Sequence, residues 1–392
     1  MSDPTPSASD EAQARAARWL AAWDAQGIHR TATAGDMAGA EWLALEAAAL
    51  GADVSVEEFA LDRLDPIAAY LEIDGERIEA VPVFDAPPTD AEGIAGRLGG
   101  DITIAELPAR AVYSGEHDRR RRQGGHRGFV ILCAGEKPGM GLLNAEQFRH
   151  PYGAPAIHLA SEARATVLAA VERGAPARLV AHSRRTPALA RNIVVTLPGA
   201  NRNAAPVVVM TPRSSWWQST AERGGGLVCW LESLRAVVAA PPAGPVVLTA
   251  NSGHELGHLG LDDFLARRPG WDRPAADGGA VWLHYGANIG AAGGNLSLMS
   301  NDDRLCELAA NELARAGQPP YSIAPKTTVP SCETRDIHRA GGRYLTFIGS
   351  NPLFHLPQDR WPDAVDLGVV ACAAAAAARI ALALTARGIR RG

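Results

Sequence analysis

No C-x-x-C pair occurs in this 392-residue chain, and its five cysteines, Cys133, Cys229, Cys306, Cys332 and Cys372, form an odd, widely spaced set. That pattern argues against a disulfide framework and for reduced thiols in the cytoplasm. The opening residues, MSDPTPSASDEAQ, lack the apolar core of a secretory leader, so export by that route is not expected. Basic residues are not arranged for nucleic acid either. The one dense run, Arg119-Arg120-Arg121-Arg122, has no interleaved aromatics, sits in a chain of net charge −5 and reads as an exposed loop. The long apolar stretch over 367–386 is dominated by Ala and interrupted by Arg379. It predicts a buried carboxy-terminal helix and no membrane partner.

With 47% hydrophobic and 21% charged residues, the chain is globular and long enough for one large domain and a smaller one. Three blocks follow from periodicity. Residues 1–62 read as helices over 12–25 and 37–50 and a strand over 54–59. Residues 63–187 change to short strands, among them 68–73, 77–83 and 128–132, broken by Pro, Gly and Asp, with one helix over 160–173. From residue 188 to 392 strands and helices alternate, with strands over 192–196, 207–210, 246–249, 280–284 and 344–348 and helices over 227–239, 261–268, 304–316 and from 367. This alternation predicts an α/β sheet flanked by helices, with ligands bound outside the carboxyl ends of its strands.

The segment 246–264 contains His254-Glu255-Leu256-Gly257-His258, a formal match to the H-E-x-x-H zinc signature. In a zincin these five residues lie inside a long helix, which puts both imidazoles on one face. Here Gly253, Gly257 and Gly260 surround them, each costing about 1 kcal/mol in a helix interior. The apolar run before them predicts a strand-to-helix loop, with the helix starting near Glu255. No third ligand follows at the metzincin spacing. Solvated loop histidines are the bland alternative.

The other strand ends are polar as well. Arg213, Ser214 and Ser215 follow the strand over 207–210, and Glu222 and Arg223 precede a helix. His284 closes the strand over 280–284, and His355 to Asp359 follow the strand over 344–348. Histidines and glutamates at successive strand ends are a candidate catalytic constellation.

This layout resembles the M28 family of zinc metallopeptidases and aminopeptidases, which have a phosphorylase/peptidase-like mixed α/β sheet, often with an inserted β-rich protease-associated (PA) domain. The resemblance rests on His29 to Asp36 as the family's opening segment, and on Gly128 to Leu132 and Gly153 to Ile157 as PA-like strands. Ala190 to Val195 resembles its re-entry strand, Leu256 to Gly260 a glycine loop, and Phe354 to Asp359 the final histidine segment. It implies an amino-terminal part over 1–62, a PA-like insert over 63–187 and the main domain over 188–392.

Position by position, the resemblance implies an altered metal site. The family's His-x-Asp falls on Pro212-Arg213-Ser214, its bridging Asp on Glu222, its Glu-Glu pair on His254 and Glu255, and its next Asp at or beside His284. Its last His is kept as His355. The implied reading is one zinc ion held by Glu222 or Glu255 with His284 and His355, with a two-zinc site lost. His254 would serve as general base, and Arg213 and Arg223 would bind an oxyanion or substrate carboxylate, or else pair with Glu222 or Glu255. Glu333 or His338 is expected to reach the pocket, and Trp216, Trp217, Trp230, Trp282 and Tyr285 lie near the same edge, Trp230 and Trp282 as core. The expected activity is hydrolysis of a small amide or short peptide. A metal-free or binding protein and a glutaminyl-cyclase-like acyl transfer are the alternatives.

Overall fold

Unbroken apolar runs in the last 200 residues become the centre of the sheet, because a strand covered on both faces has no solvent side to mark with polar residues. The computed structural model describes residues 8–113, 115–135 and 137–386. The first seven residues of the polar amino-terminal segment lie outside them. In chain order the elements begin with α1 (Ala8–Asp24), α2 (Ala34–Ala49), β1 (Val54–Ile73), β2 (Glu76–Pro82), β3 (Ile94–Arg97), β4 (Ile102–Leu107), α3 (Glu116–Arg122), β5 (Gly128–Cys133), β6 (Ala156–Leu159) and α4 (Arg164–Glu172). They continue with β7 (Pro176–Leu197), β8 (Val207–Pro212), α5 (Gly225–Ala239), β9 (Val246–Asn251), α6 (Leu259–Ala266), β10 (Val281–Tyr285) and β11 (Leu296–Ser300). The last are α7 (Asp303–Arg315), β12 (Ser322–Ile323), α8 (Thr334–Arg339), β13 (Arg343–Gly349) and α9 (Leu367–Ala386).

The strand order is β12-β11-β13-β10-β8-β9-β7-β1-β2-β6-β5-β4, with β3 on β7. Strands β13, β10, β8 and β9 run parallel, so their carboxyl ends share one edge. Alternate residues of these strands enter two cores. Val207, Val209, Leu248 and Leu283 pack under α1, α2, α5, α7 and α9, whereas Val208, Met210, Val247 and Trp282 pack under α6 and α8. Each such fully buried side chain contributes about 1.5–3 kcal/mol. Helix α9 is long and apolar enough to cross a membrane, but Val370, Ala373, Ala377, Ile380 and Ala381 place one side of it in the main core beside α5.

Strands β1 and β7 are longer than the sequence suggests. Their ladder runs from Val54↔Val195 to Ile73↔Ala177, interrupted only near Pro66, and carries the chain from the main sheet into the lobe made by β2 to β6. The lobe has its own core of Leu71, Val130, Leu132, Ile157 and Leu179. The four-arginine run is a correction to the sequence reading. It lies in α3, and Arg121 is buried, donating to Asp85 Oδ1 at 2.6 Å and to the Asp85 and Tyr152 carbonyls at 2.8 Å.

Candidate metal and catalytic site

The loop after β9 is not a helix. Gly253, Gly257 and His258 have φ of 87°, 81° and 64°, and a single 3-10 turn, His254–Leu256, separates the two glycines. A Cβ on Gly257 would stand 2.8 Å from the Glu146 carbonyl oxygen, so glycine is required there by space as well as by φ. Helix α6 therefore starts at Leu259 rather than near Glu255. His258 holds a left-handed conformation that costs a non-glycine residue about 1–3 kcal/mol. The zincin geometry is absent, yet the two imidazoles still meet, with ring centroids 5.4 Å apart.

Glu222 is presented differently. It sits in one π-helical turn, Thr220–Gly224, ahead of α5, and Asp359 fixes that turn by accepting the Ala221 and Glu222 N–H groups at 2.6 and 3.0 Å. The Arg223 Nε donates to the Ser214 carbonyl at 2.8 Å, and its Nη2 lies 2.7 Å from Glu222 Oε1. That ion pair is not aligned as a hydrogen bond, so Nη1, Nη2 and both Glu222 oxygens keep unspent polar capacity inside the protein. Burial alone would raise the Glu222 carboxyl, but the charges of Arg223 and then His355 outweigh it and hold the group at about 2. His355 Nδ1–H donates to the Leu142 carbonyl of the lobe at 2.6 Å, which turns Nε2 toward Glu222 Oε1, 3.4 Å away.

Glu333, just before α8, joins the other histidines. Its Oε1 is 2.5 Å from His254 Nδ1 and its Oε2 is 3.2 Å from His284 Nε2, the latter contact again without hydrogen-bond alignment. Burial and the Arg223 charge lower His254 to about 4. Burial opposes a charged His284, but Cys332, 3.8 Å from its Nδ1, and Glu333 raise it to about 9. His258 Nδ1 lies 3.0 Å from Asp336 Oδ2.

The expected site residues thus divide. Glu222, Arg223, His254, His284 and His355 belong to buried clusters of mutually facing groups, and Glu333 joins them. Two do not. Glu255 stands apart from them: its Oε1 accepts the Thr31 N–H and hydroxyl at 2.7 and 2.6 Å and its Oε2 the Ser214 hydroxyl at 2.6 Å, so both oxygens are engaged within the fold. Arg213 is the second. It points away to Asp36 Oδ1 at 2.7 Å and to the Asp36 and Arg191 carbonyls at 2.6 and 2.5 Å, rather than pairing with Glu222 or Glu255.

His338 bonds the Tyr344 hydroxyl at 3.0 Å instead of reaching the site. Trp230, Trp282 and Tyr285 are core, and Trp216 packs on Phe84. Trp217 alone touches the site, donating to the His355 carbonyl at 2.9 Å. Sequence reasoning missed Leu142 and Asp336. Neither follows from a motif, because both act across long sequence separations.

The donor set fits a borderline cation. Glu222 Oε1 and Oε2, His284 Nε2, Glu333 Oε2 and His355 Nε2 are buried polar atoms without hydrogen-bond partners, a costly condition that a cation held among these imidazoles and carboxylates would relieve. Near them, Pro108, Cys133, Lys137, Phe354 and Leu356 line a cavity of about 410 Å³, and Phe354 stacks on the His355 ring at 3.8 Å.

No protein-family model and no curated protein matches the sequence. Solved structures do. A zinc aminopeptidase from Bacillus subtilis, BSAP, has a TM-score of 0.75 at 17% identity, with 99% of this chain and 98% of that one covered. A Peptidase M28 precursor from Shewanella amazonensis SB2B gives 0.72 at 14% identity, covering 98% of each chain. An aminopeptidase from Aneurinibacillus sp. strain AM-1 gives 0.68 at 15%, covering 96% of this chain and 94% of that one. The chain has their mixed α/β fold over almost its whole length, and the M28 resemblance read from the sequence holds at the level of the fold.

Proposed function

We propose that this chain is a metal-dependent hydrolase of small amides or short peptides, with a single zinc ion at the carboxyl edge of the parallel strands. The observation that carries the reading is the buried gathering of imidazoles and carboxylates, with unpartnered polar atoms among them, at the edge where a parallel sheet binds its ligands. The fold of zinc aminopeptidases supports it. The adjacent cavity of about 410 Å³ suits a small substrate.

When bound, zinc supplies Lewis acidity to a scissile carbonyl. The protein's own groups do the rest. His355 keeps its Nε2 lone pair toward the site because Leu142 takes the Nδ1 proton, and Nε2 is the group that accepts a proton from the attacking water. Glu222, anionic and 3.4 Å away, stabilises the imidazolium that results. The unspent N–H groups of Arg223 receive negative charge developing on the carbonyl oxygen. His254 suits the base role less well, since burial and Arg223 hold it at about 4 and its Nδ1 is tied to Glu333. The lobe over 63–187, read as PA-like, contributes Leu142 and part of the cavity wall.

The test is product mass from a panel of dipeptides and aminoacyl amides, including amino-terminal glutaminyl ones, incubated with zinc-loaded protein. Two products whose masses together equal substrate plus water support hydrolysis. Loss of ammonia with cyclisation would indicate acyl transfer instead. Binding with no product would indicate a non-catalytic protein.

A further inference from the structure

We infer that the metal-binding position is built by His254, His258 and Glu333, a set that uses both histidines of the H-E-x-x-H letters but in a loop instead of a helix. The inference rests on the metal-dependent reading above and names its ligands. One ligating atom from each of these three buried residues lies within 4.8 Å of the other two. Among the described residues, Glu222, His284 and His355 form no such trio. They divide instead into a Glu222–His355 pair and a His284–Glu333 pair.

The surroundings of the trio are those of a held ligand set. Asp336 Oδ2, 3.0 Å from His258 Nδ1, accepts that proton and leaves Nε2 as the free nitrogen, the arrangement in which a carboxylate orients a ligating imidazole. Glu333 bonds His254 through Oε1 and is braced on its other oxygen by His284, with Oε2 and His284 Nε2 both lacking hydrogen-bond partners inside the protein. The left-handed conformations of Gly257 and His258 bring the second histidine back beside the first. Two imidazoles and one carboxylate are a donor set that catalytic zinc accepts while keeping its fourth position open. Glu222, Arg223 and His355 then stay free for proton transfer and charge stabilisation.

The experiment uses full-length untagged protein, stripped with chelator and titrated with Co²⁺ while its visible absorption is read, followed by zinc analysis after desalting. Wild type should bind one ion. His258→Asn and Glu333→Gln should each weaken binding by about 100-fold or more, and Asp336→Asn by about 10–100-fold, the usual loss for a residue that orients a ligand. Glu222→Gln and His355→Gln should bind as wild type does. Should His258→Asn fail to fold, as judged by circular dichroism, Asp336→Asn gives the same readout. Loss of the ion in Glu222→Gln or His355→Gln with retention in His258→Asn would overturn this ligand set while leaving a metal enzyme. Absence of any ion in zinc-saturated wild type would overturn the metal reading with it.

Discussion

Arg213 and Asp36 meet at 2.7 Å with neither side chain exposed, joining the loop after β8 to the first turn of α2. Ser252 and Ala32 donate to the other Asp36 oxygen at 2.8 and 2.7 Å, so the pair sits in a nearly satisfied network. Arg213→Met leaves a buried carboxylate without its cation and should cost about 3–5 kcal/mol of stability, read by urea unfolding. The KM of the folded fraction should stay the same. An unchanged unfolding midpoint with a raised KM would return Arg213 to the substrate site.

Glu255 is an anchor as well. Burial raises its pKa against the pull of the Ser214 and Thr31 hydrogen bonds. Glu255→Gln keeps the shape and loses charge-assisted bonds, so a loss of roughly 1–3 kcal/mol is expected. Bound zinc per chain should be the same as in wild type; a drop would make Glu255 a ligand.

Arg223 is expected to act on the chemical step. Arg223→Lys keeps a charge but not the planar fork with its unspent N–H groups. It should lower kcat by about 10²–10³-fold with little change in KM, the pattern of an interaction made in the transition state. A raised KM at constant kcat would mean that Arg223 holds ground-state substrate.

Buried titrating groups give the metal-free protein a stability optimum. His29, His158 and His254 are lowered to about 3, 3 and 4, burial being the main cause in each. Below the ordinary value of 6.5 the unfolded chain binds protons that these folded groups refuse, so stability falls as pH drops from 6.5 toward 4. His284, raised to about 9 by Cys332 and Glu333 against burial, acts in the opposite sense. Its contribution is complete below 6.5 and is lost as pH rises through 9. Burial and then the Glu222 charge raise Asp359 to about 7, so its contribution is lost between 3.8 and 7 as pH rises. The thermal midpoint in chelator should rise from pH 4 to about 6.5 and decline toward 9. A midpoint still climbing at pH 9 would contradict these assignments.

The central strands were legible because β8, β9, β10 and β13 are mainly apolar runs bounded by polar residues, and their parallel pairing brings those ends to one edge. The long β1 and β7 were read as short pieces, since their middle carries Pro66, Arg184 and Arg185 and is partly exposed. Helix α8 has six residues, too few for a periodic signal, so Glu333 and Asp336 at its start stood out only as polar letters. The hydrogen bonds of Glu255 are not legible in the sequence because its partners, Thr31 and Ser214, lie 224 and 41 positions away. The place of His258 beside His254 comes from the backbone turn at Gly257, which the letters alone do not show.

A hydrolase built around one zinc ion is checked by elemental analysis of untagged protein, desalted after zinc loading. One equivalent of zinc per chain is the predicted result. Two equivalents, or none, would contradict it.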